Sequence, residues 1–389
     1  MRLIKDLSLL DGLWYTKTKY ANVCKRNEVI YKMQKTEMIS VLSANSEFTE
    51  SEKQGLRRAG KIIREGGLVA FPTETVYGLG GDALNPESSR RIYAAKGRPS
   101  DNPLIVHVAD FEALHRIVSE IPETAVKLAD AFWPGPLTMI MQKSEAVPLT
   151  TTGGLETVAV RMPSHPVALG LIRESGGYIA APSANTSGRP SPTLASYVAE
   201  DMDGRIDMII DGGELGIGLE STIVDLTVQP PQILRPGYIT REMLERVIGE
   251  VAVDATIMHS QADCGQAPKA PGMKYRHYAP KGELTIVRGE PMTVVSYINR
   301  KVQADRGAGE KTGVIGTQEC LAEYRADVVK SVGSREDEES IARRLYVILR
   351  EFDDENVTKI YSEAFSTEGL GQAIMNRLLK AAGHHVIDI

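Results

Sequence analysis

Short apolar segments alternate with capped helical patterns twice along this chain, and the rhythm is interrupted between residues 249 and 282. Such alternation buries helix stripes against a sheet, so two α/β domains joined by a linker are expected. Each period carries local punctuation. Thr49 and Glu52 form a capping-box pattern, Leu56, Ala59, Ile62 and Ile63 then share one helical face, and Gly66-Gly67 ends it. Leu68 to Phe71 reads as a buried strand. Asn85-Pro86 opens a second helix, with Asn as N-cap and Pro in the first turn, running to about Ala95. Further strands are expected at 104–108, 137–141, 157–160, 178–181, 206–210, 221–226 and 232–234. Helices are expected from Asp110, from Pro122, and over 166–173, 193–200 and 240–248. Several of these strands follow one another late, which implies a mixed sheet. From Glu283 the rhythm restarts, with strands at 284–287, 313–315, 327–332, 359–362 and 385–387. The helices between them, at about 291–303, 337–351 and 371–382, make a five-stranded doubly wound pattern, read as parallel.

Residues 1–45 read as an extension, either disordered and dispensable or packed on the body. The charge is split there. Residues 1–37 carry eight Lys/Arg and four Asp/Glu, so +4, and the remainder of the net −6 is −10. An acidic body argues against non-specific nucleic-acid binding, which rests on neutralising phosphates. Cys24, Cys264 and Cys320 are too far apart for a zinc knuckle or a disulfide framework. No apolar run approaches the ~20 residues of a membrane span, and residues 1–37 lack the apolar core of a signal peptide. A cytoplasmic location is therefore expected.

The special residues gather on loops beside strands, where open α/β sheets bind ligands. Pro72-Thr73-Glu74-Thr75-Val76-Tyr77-Gly78 is read as a turn with hydroxyls and a carboxylate. Lys96-Gly97-Arg98-Pro99 places two cations on a stiff turn, a point charge and a flat fork. Arg161 ends an apolar strand and reads as a surface charge or a carboxylate fork. Ala181-Pro182-Ser183-Ala184-Asn185 offers small residues and hydrogen bonds, and Glu220-Ser221-Thr222 and Leu234-Arg235-Pro236-Gly237 repeat the arrangement. His107, inside the strand 104–108, reads on its own as a satisfied core histidine. There is no G-x-x-x-x-G-K-[ST] loop, no kinase motif set, no H-E-x-x-H and no G-x-S-x-G elbow. Cations and hydroxyls without a nucleophile and its base suit electrostatic stabilisation of phosphates and carboxylates, the nucleophile coming from a substrate.

Five segments in order carry a resemblance: Pro72 to Gly78, Lys96-x-Arg98, Ser183-x-Asn185, Pro271-Gly272-Met273-Lys274-Tyr275-Arg276-His277-Tyr278-Ala279-Pro280, and Gly369 to Leu378. Over about residues 46–389 the chain resembles the two-domain L-threonylcarbamoyl-adenylate synthases, nucleotidyltransferases that make the intermediate for N6-threonylcarbamoyladenosine in tRNA. The resemblance implies a YrdC-like catalytic domain over 46–250, its twisted mixed sheet flanked by helices. It implies a linker or lid over 251–282 and a smaller Rossmann-like domain over 283–389. It further implies catalytic roles for Lys96 and Arg98, and L-threonine binding by Thr73, His107, Arg161 and Ser221. ATP, arriving with Mg2+, would meet Lys96, Ser100, Ala181, Ser183, Asn185, Ser191, Arg235 and Tyr278. The substrates would be ATP, L-threonine and bicarbonate, with a functional link to tRNA and the threonylcarbamoyl-transfer machinery. Two alternatives stand beside it. One is a tRNA- or double-stranded-RNA-binding module without catalysis, favoured by the basic extension and opposed by the acidic body. The other is a carbamoyl-transferring maturation factor, whose zinc segments the cysteine spacing does not offer.

Overall fold

Local signals set most helix starts. Thr49 caps α1 (Glu50–Arg64) with both halves of the capping box formed, and Leu56, Ala59 and Ile63 are its buried stripe. Asn85 caps α2 (Pro86–Lys96) by accepting from the Glu87 amide at 2.9 Å. The computed structural model describes residues 35–42, 47–255, 257, 268–271 and 277–389. Thr36–Ile389 is one compact unit, so its two sheets can be described together.

The first sheet contains β1 (Glu37–Ser40), β2 (Val69–Phe71), β3 (Gly78–Asp82), β4 (Ile105–His107), β5 (Leu137–Gln142), β6 (Thr157–Arg161), β7 (Ile179–Ala180), β8 (Met208–Asp211), β9 (Thr222–Asp225), β10 (Gln232–Arg235) and β11 (Ala252–Val253). Their order is β1-β8-β2-β3-β7-β4-β6-β5-β9-β10-β11. Pairings of both senses occur, β4 with β6 parallel and β5 with β6 antiparallel, so the sheet is mixed as expected. The helices α3 (Leu114–Ile117), α4 (Glu123–Phe132), α5 (Pro166–Glu174), α6 (Ala195–Met202) and α7 (Arg241–Ile248) complete this part.

Three expectations need correction. Residues 37–40, assigned to the extension, form a strand lying parallel to β8, Glu37 opposite Met208 and Ser40 opposite Asp211. Gly78 to Asp82, read with the preceding turn, is a strand antiparallel to β2. Its glycines make room for Phe71, whose ring would lie 2.9 Å from a Cβ at Gly80. The helix expected from Asp110 is one turn long, Leu114–Ile117.

The second sheet, β12 (Glu283–Arg288), β13 (Thr312–Gly316), β14 (Val328–Ser331), β15 (Lys359–Glu363) and β16 (Val386–Asp388), is parallel throughout in the order β14-β13-β15-β12-β16. Helices α8 (Pro291–Gly307), α9 (Glu338–Asp354) and α10 (Gly369–Ala381) connect its strands. One hydrophobic cluster crosses between the two sheets. Val76, Leu219 and Tyr278 pack in it with Ala342, Leu345 and Tyr346 of α9. Among the described residues no helix is long and apolar enough to cross a membrane.

Candidate active site

The loop between β2 and β3 is tied by its own threonines. The Thr73 hydroxyl donates to the Val76 carbonyl at 2.6 Å and accepts from the Thr75 and Val76 amides at 3.2 and 3.3 Å, an ST-turn arrangement. Thr75 Oγ1 accepts from Arg161 Nη1 at 3.0 Å, and Glu74 pairs with Arg161 Nη2 at 2.8 Å. Arg161 ends β6 directly beside His107 of β4. Burial, reinforced by that arginine, pushes the His107 imidazole down to about 3, so it is neutral at ordinary pH. Its Nδ1 donates to the Ile105 carbonyl at 3.2 Å.

The cationic turn follows from how α2 ends. Gly97 takes φ +62°, a left-handed conformation that side chains disfavour and glycine does not. The chain then curls around Arg98, whose Nε and Nη2 donate to the carbonyls of Asn102 and Pro103 at 3.2 and 3.1 Å. Burial brings this guanidinium down to about 10. Lys96 goes the other way. Its buried Nζ donates to the Ser183 carbonyl at 2.6 Å and to the Asn185 carbonyl. Burial, with Arg98 adding to it, pushes the ammonium well below the usual lysine range.

The opposite wall comes from loops after β7 and before β9. Ser183 Oγ donates to Asn185 Oδ1 at 2.5 Å. Ser191 Oγ donates to Glu220 Oε1 at 2.6 Å. Arg235 holds Ser221 through its carbonyl at 3.0 Å and its hydroxyl at 3.1 Å. Tyr278 stacks on Tyr346 of α9, ring centroids 5.1 Å apart.

These walls face a single crevice with about 640 Å³ of empty space, part of it open to solvent. Of the residues named from the sequence, Thr73, Arg98, His107, Arg161, Ala181, Ser183, Asn185, Ser191, Ser221, Arg235 and Tyr278 line it. Two do not. Lys96 stands behind the wall that Ser183 and Asn185 form. Ser100 is exposed on the turn beyond Arg98. The linker residues Lys274 and Tyr275 fall outside the described residues. Thr75, Arg189, Glu220 and His277 also line the crevice. Each sits inside or beside a segment the sequence singles out, but type alone did not separate it from its neighbours.

Arg235 is buried and Arg98 half-buried, and neither has an ion-pair partner among the described residues. Arg161 and Arg189 do have carboxylate partners. Two guanidiniums that face one cavity with no carboxylate in direct contact make a ready place for an anion.

Known proteins point the same way. Residues 61–237 match a family model described as telomere recombination, and residues 239–383 match one described as the threonylcarbamoyl-AMP synthase C-terminal domain. A threonylcarbamoyl-AMP synthase of Pyrococcus abyssi is 51% identical over 338 residues, 87% of this chain and 97% of that protein. One from Bacillus subtilis is 51% identical over 333 residues, 85% of this chain and 94% of the relative. The crystal structure of P. abyssi Sua5 complexed with L-threonine superposes with a TM-score of 0.85 at 49% identity, covering 91% of this chain and all of that one. With both family models and nearly the full length of these relatives matched, the chain belongs to the two-domain threonylcarbamoyl-AMP synthase family.

Proposed function

We propose that the crevice joins L-threonine, bicarbonate or CO2, and ATP into threonylcarbamoyl-AMP, releasing pyrophosphate. The observation that carries this reading is a pair of arginines, the half-buried Arg98 and the buried Arg235, that face one cavity with no ion-pair partner among the described residues. The chemistry requires such a place. Threonine's amine takes up CO2 as a carbamate, a carbamate oxygen attacks the α-phosphorus of ATP, and the bond to the pyrophosphate oxygen breaks. A triphosphate, a carbamate and an amino-acid carboxylate then crowd together, and preorganised cations offset their repulsion. The nucleophile belongs to the substrate, so the site needs no side-chain nucleophile of its own, and the protons that threonine's ammonium sheds in becoming a carbamate pass to solvent.

The roles proposed are those the family resemblance implies. Thr73, His107, Arg161 and Ser221 take L-threonine, the neutral imidazole acting as a hydrogen-bonding group rather than a charge. Ala181, Ser183, Asn185, Ser191, Arg235 and Tyr278 take the nucleotide. Arg98 faces the developing negative charge. Lys96 works through the Ser183–Asn185 loop that its ammonium holds, and Ser100 stays at the periphery. Among the described residues there is no group of three His, Cys, Asp or Glu placed to hold a metal. Glu220, the carboxylate of the lining, is already engaged by Ser191, Tyr346 and Arg377. That donor set fits Mg2+ carried by the triphosphate, where it neutralises phosphate charge. The product supplies a threonylcarbamoyl-transfer step to tRNA in the cytoplasm. Family membership favours this catalytic reading over a catalysis-free RNA-binding module.

The test incubates the protein with ATP, threonine and bicarbonate and omits each in turn. Pyrophosphate and the adenylate are expected only with all three present. Pyrophosphate release that ignores threonine would contradict the reading.

A further inference from the structure

The two sheets meet behind the nucleotide wall on one buried carboxylate. Glu220 lies within the lining of the crevice and is 6% exposed. From α10, Arg377 Nε donates to Glu220 Oε2 at 3.1 Å, and its Nη1 donates to the Pro236 carbonyl at 2.6 Å. From α9, the Tyr346 hydroxyl donates to the same Oε2 at 2.9 Å. Ser191 takes the other oxygen. Burial alone would raise this carboxyl, but Arg377 first and Arg235 second hold it down at about 2.

Arg235 feels Glu220 without touching it. Among the described residues no hydrogen bond or ion pair joins the two, although Arg235 is anchored on Ser221, the next residue along. One carboxylate thus stands between two guanidiniums. The one from the second sheet makes the contacts, and the one in the crevice does not. We propose that Arg377 is a positioning residue that neutralises Glu220 and thereby keeps Arg235 turned to the phosphate chain of ATP. Without Arg377, Glu220 would be a buried, partly uncompensated anion. Arg235, anchored on the neighbouring Ser221 and already attracted by Glu220, is then drawn toward it. The crevice would then lose one of its two unpaired arginines and present a salt bridge where the phosphates arrive. The second sheet in this account completes the charge balance of the first. The proposal rests on the synthase reading for the identity of the anion.

The experiment measures the KM for ATP and the KM for threonine by pyrophosphate release on the full-length protein. Arg377→Gln is expected to raise the ATP KM by ~10-fold or more while moving the threonine KM by less than ~2-fold. Adding Glu220→Gln removes the anion that captures Arg235. The double variant is expected to return the ATP KM to within ~3-fold of wild type. A folded Arg377→Gln variant with a wild-type ATP KM overturns the proposal, as does a double variant no better than the single one. Should Arg377→Gln fail to fold, Tyr346→Phe weakens the same neutralisation and keeps the ring on Tyr278. It should raise the ATP KM by ~3-fold, and Glu220→Gln should reverse that rise; no reversal overturns the proposal. A wild-type protein that releases no pyrophosphate contradicts the synthase reading instead. Calorimetric titration of the same variants with ATP alone then tests Arg377 separately.

Discussion

Arg98, half-buried, and Arg350, fully enclosed, have opposite surroundings. Arg350, on α9, is fully enclosed and reaches Asp201 at 2.9 Å and the Pro190 carbonyl at 2.6 Å. Arg98 has carbonyls behind it and a cavity before it, and no carboxylate in reach of an ion pair among the described residues. A buried cation with its counter-charge built in holds structure together. One without it is waiting for an anion from solution. The same division separates Arg377, bonded to Glu220, from Arg235, which is not.

The comparison breaks most visibly in activity. Arg98→Ala and Arg235→Ala are each expected to cut threonine-dependent pyrophosphate release by ~100-fold, the scale for losing one preorganised charge. Each also leaves backbone carbonyls without their donor, so stability should fall by ~1–3 kcal/mol, less than for an enclosed ion pair. Arg350→Ala should do the reverse. Removing one partner of an enclosed pair destabilises by roughly 3–5 kcal/mol, read from chemical denaturation, with turnover of the folded fraction largely retained. If Arg350→Ala inactivates without destabilising, the division by partner is wrong.

Lys96 sharpens the comparison because it belongs to neither class. Its ammonium is bonded to carbonyls of residues that line the crevice. Lys96→Ala should therefore lower both activity, by up to ~100-fold, and stability, by ~1–3 kcal/mol for the carbonyls left unsatisfied. Full activity at reduced stability would place Lys96 with the structural cations such as Arg350 instead.

The smallest expected effect concerns His107. Its imidazole is held at about 3 against an ordinary 6.5, so the fold favours the neutral ring. The stability this contributes is complete above about pH 6.5 and is lost as pH falls toward 3, at up to ~1.4 kcal/mol per pH unit. His107→Gln lacks that titration. The gap between wild type and variant in melting temperature should narrow between pH 7.5 and pH 5. Parallel losses in the two proteins would refute the assignment.

How much of this was legible in the sequence depended on distance along the chain. The caps at Thr49 and Asn85 were readable because their partners lie two or three residues away. The parallel second sheet was readable because its strands and helices alternate cleanly. Strand β1 was not, since its four residues have no periodicity and gain their pairing from residues 208–211. Strand β3 was hidden by its glycines, which pattern reading takes for a turn, while the fold needs them where the Phe71 ring crosses. The crevice was largely legible, because loops beside strands converge in such folds and residues such as Thr73, Arg161, Ser183 and Arg235 stood on them. Ser100 was misplaced because a turn can carry neighbours to opposite sides: Arg98 points inward and Ser100 outward. The support from Tyr346 and Arg377 was invisible. Their contacts with Glu220 span 126 and 157 residues and exist only once the two sheets dock.

The most direct test of the central claim is the stabilisation of the protein by ATP, followed as the shift in melting temperature at fixed Mg2+. Wild type and Arg350→Ala should both gain from ATP, because each keeps Arg98 and Arg235 facing the crevice. Arg98→Ala and Arg235→Ala should each lose most of that gain. A full ATP shift in both of these variants would contradict the account, since the two unpaired arginines would then not be what the nucleotide meets.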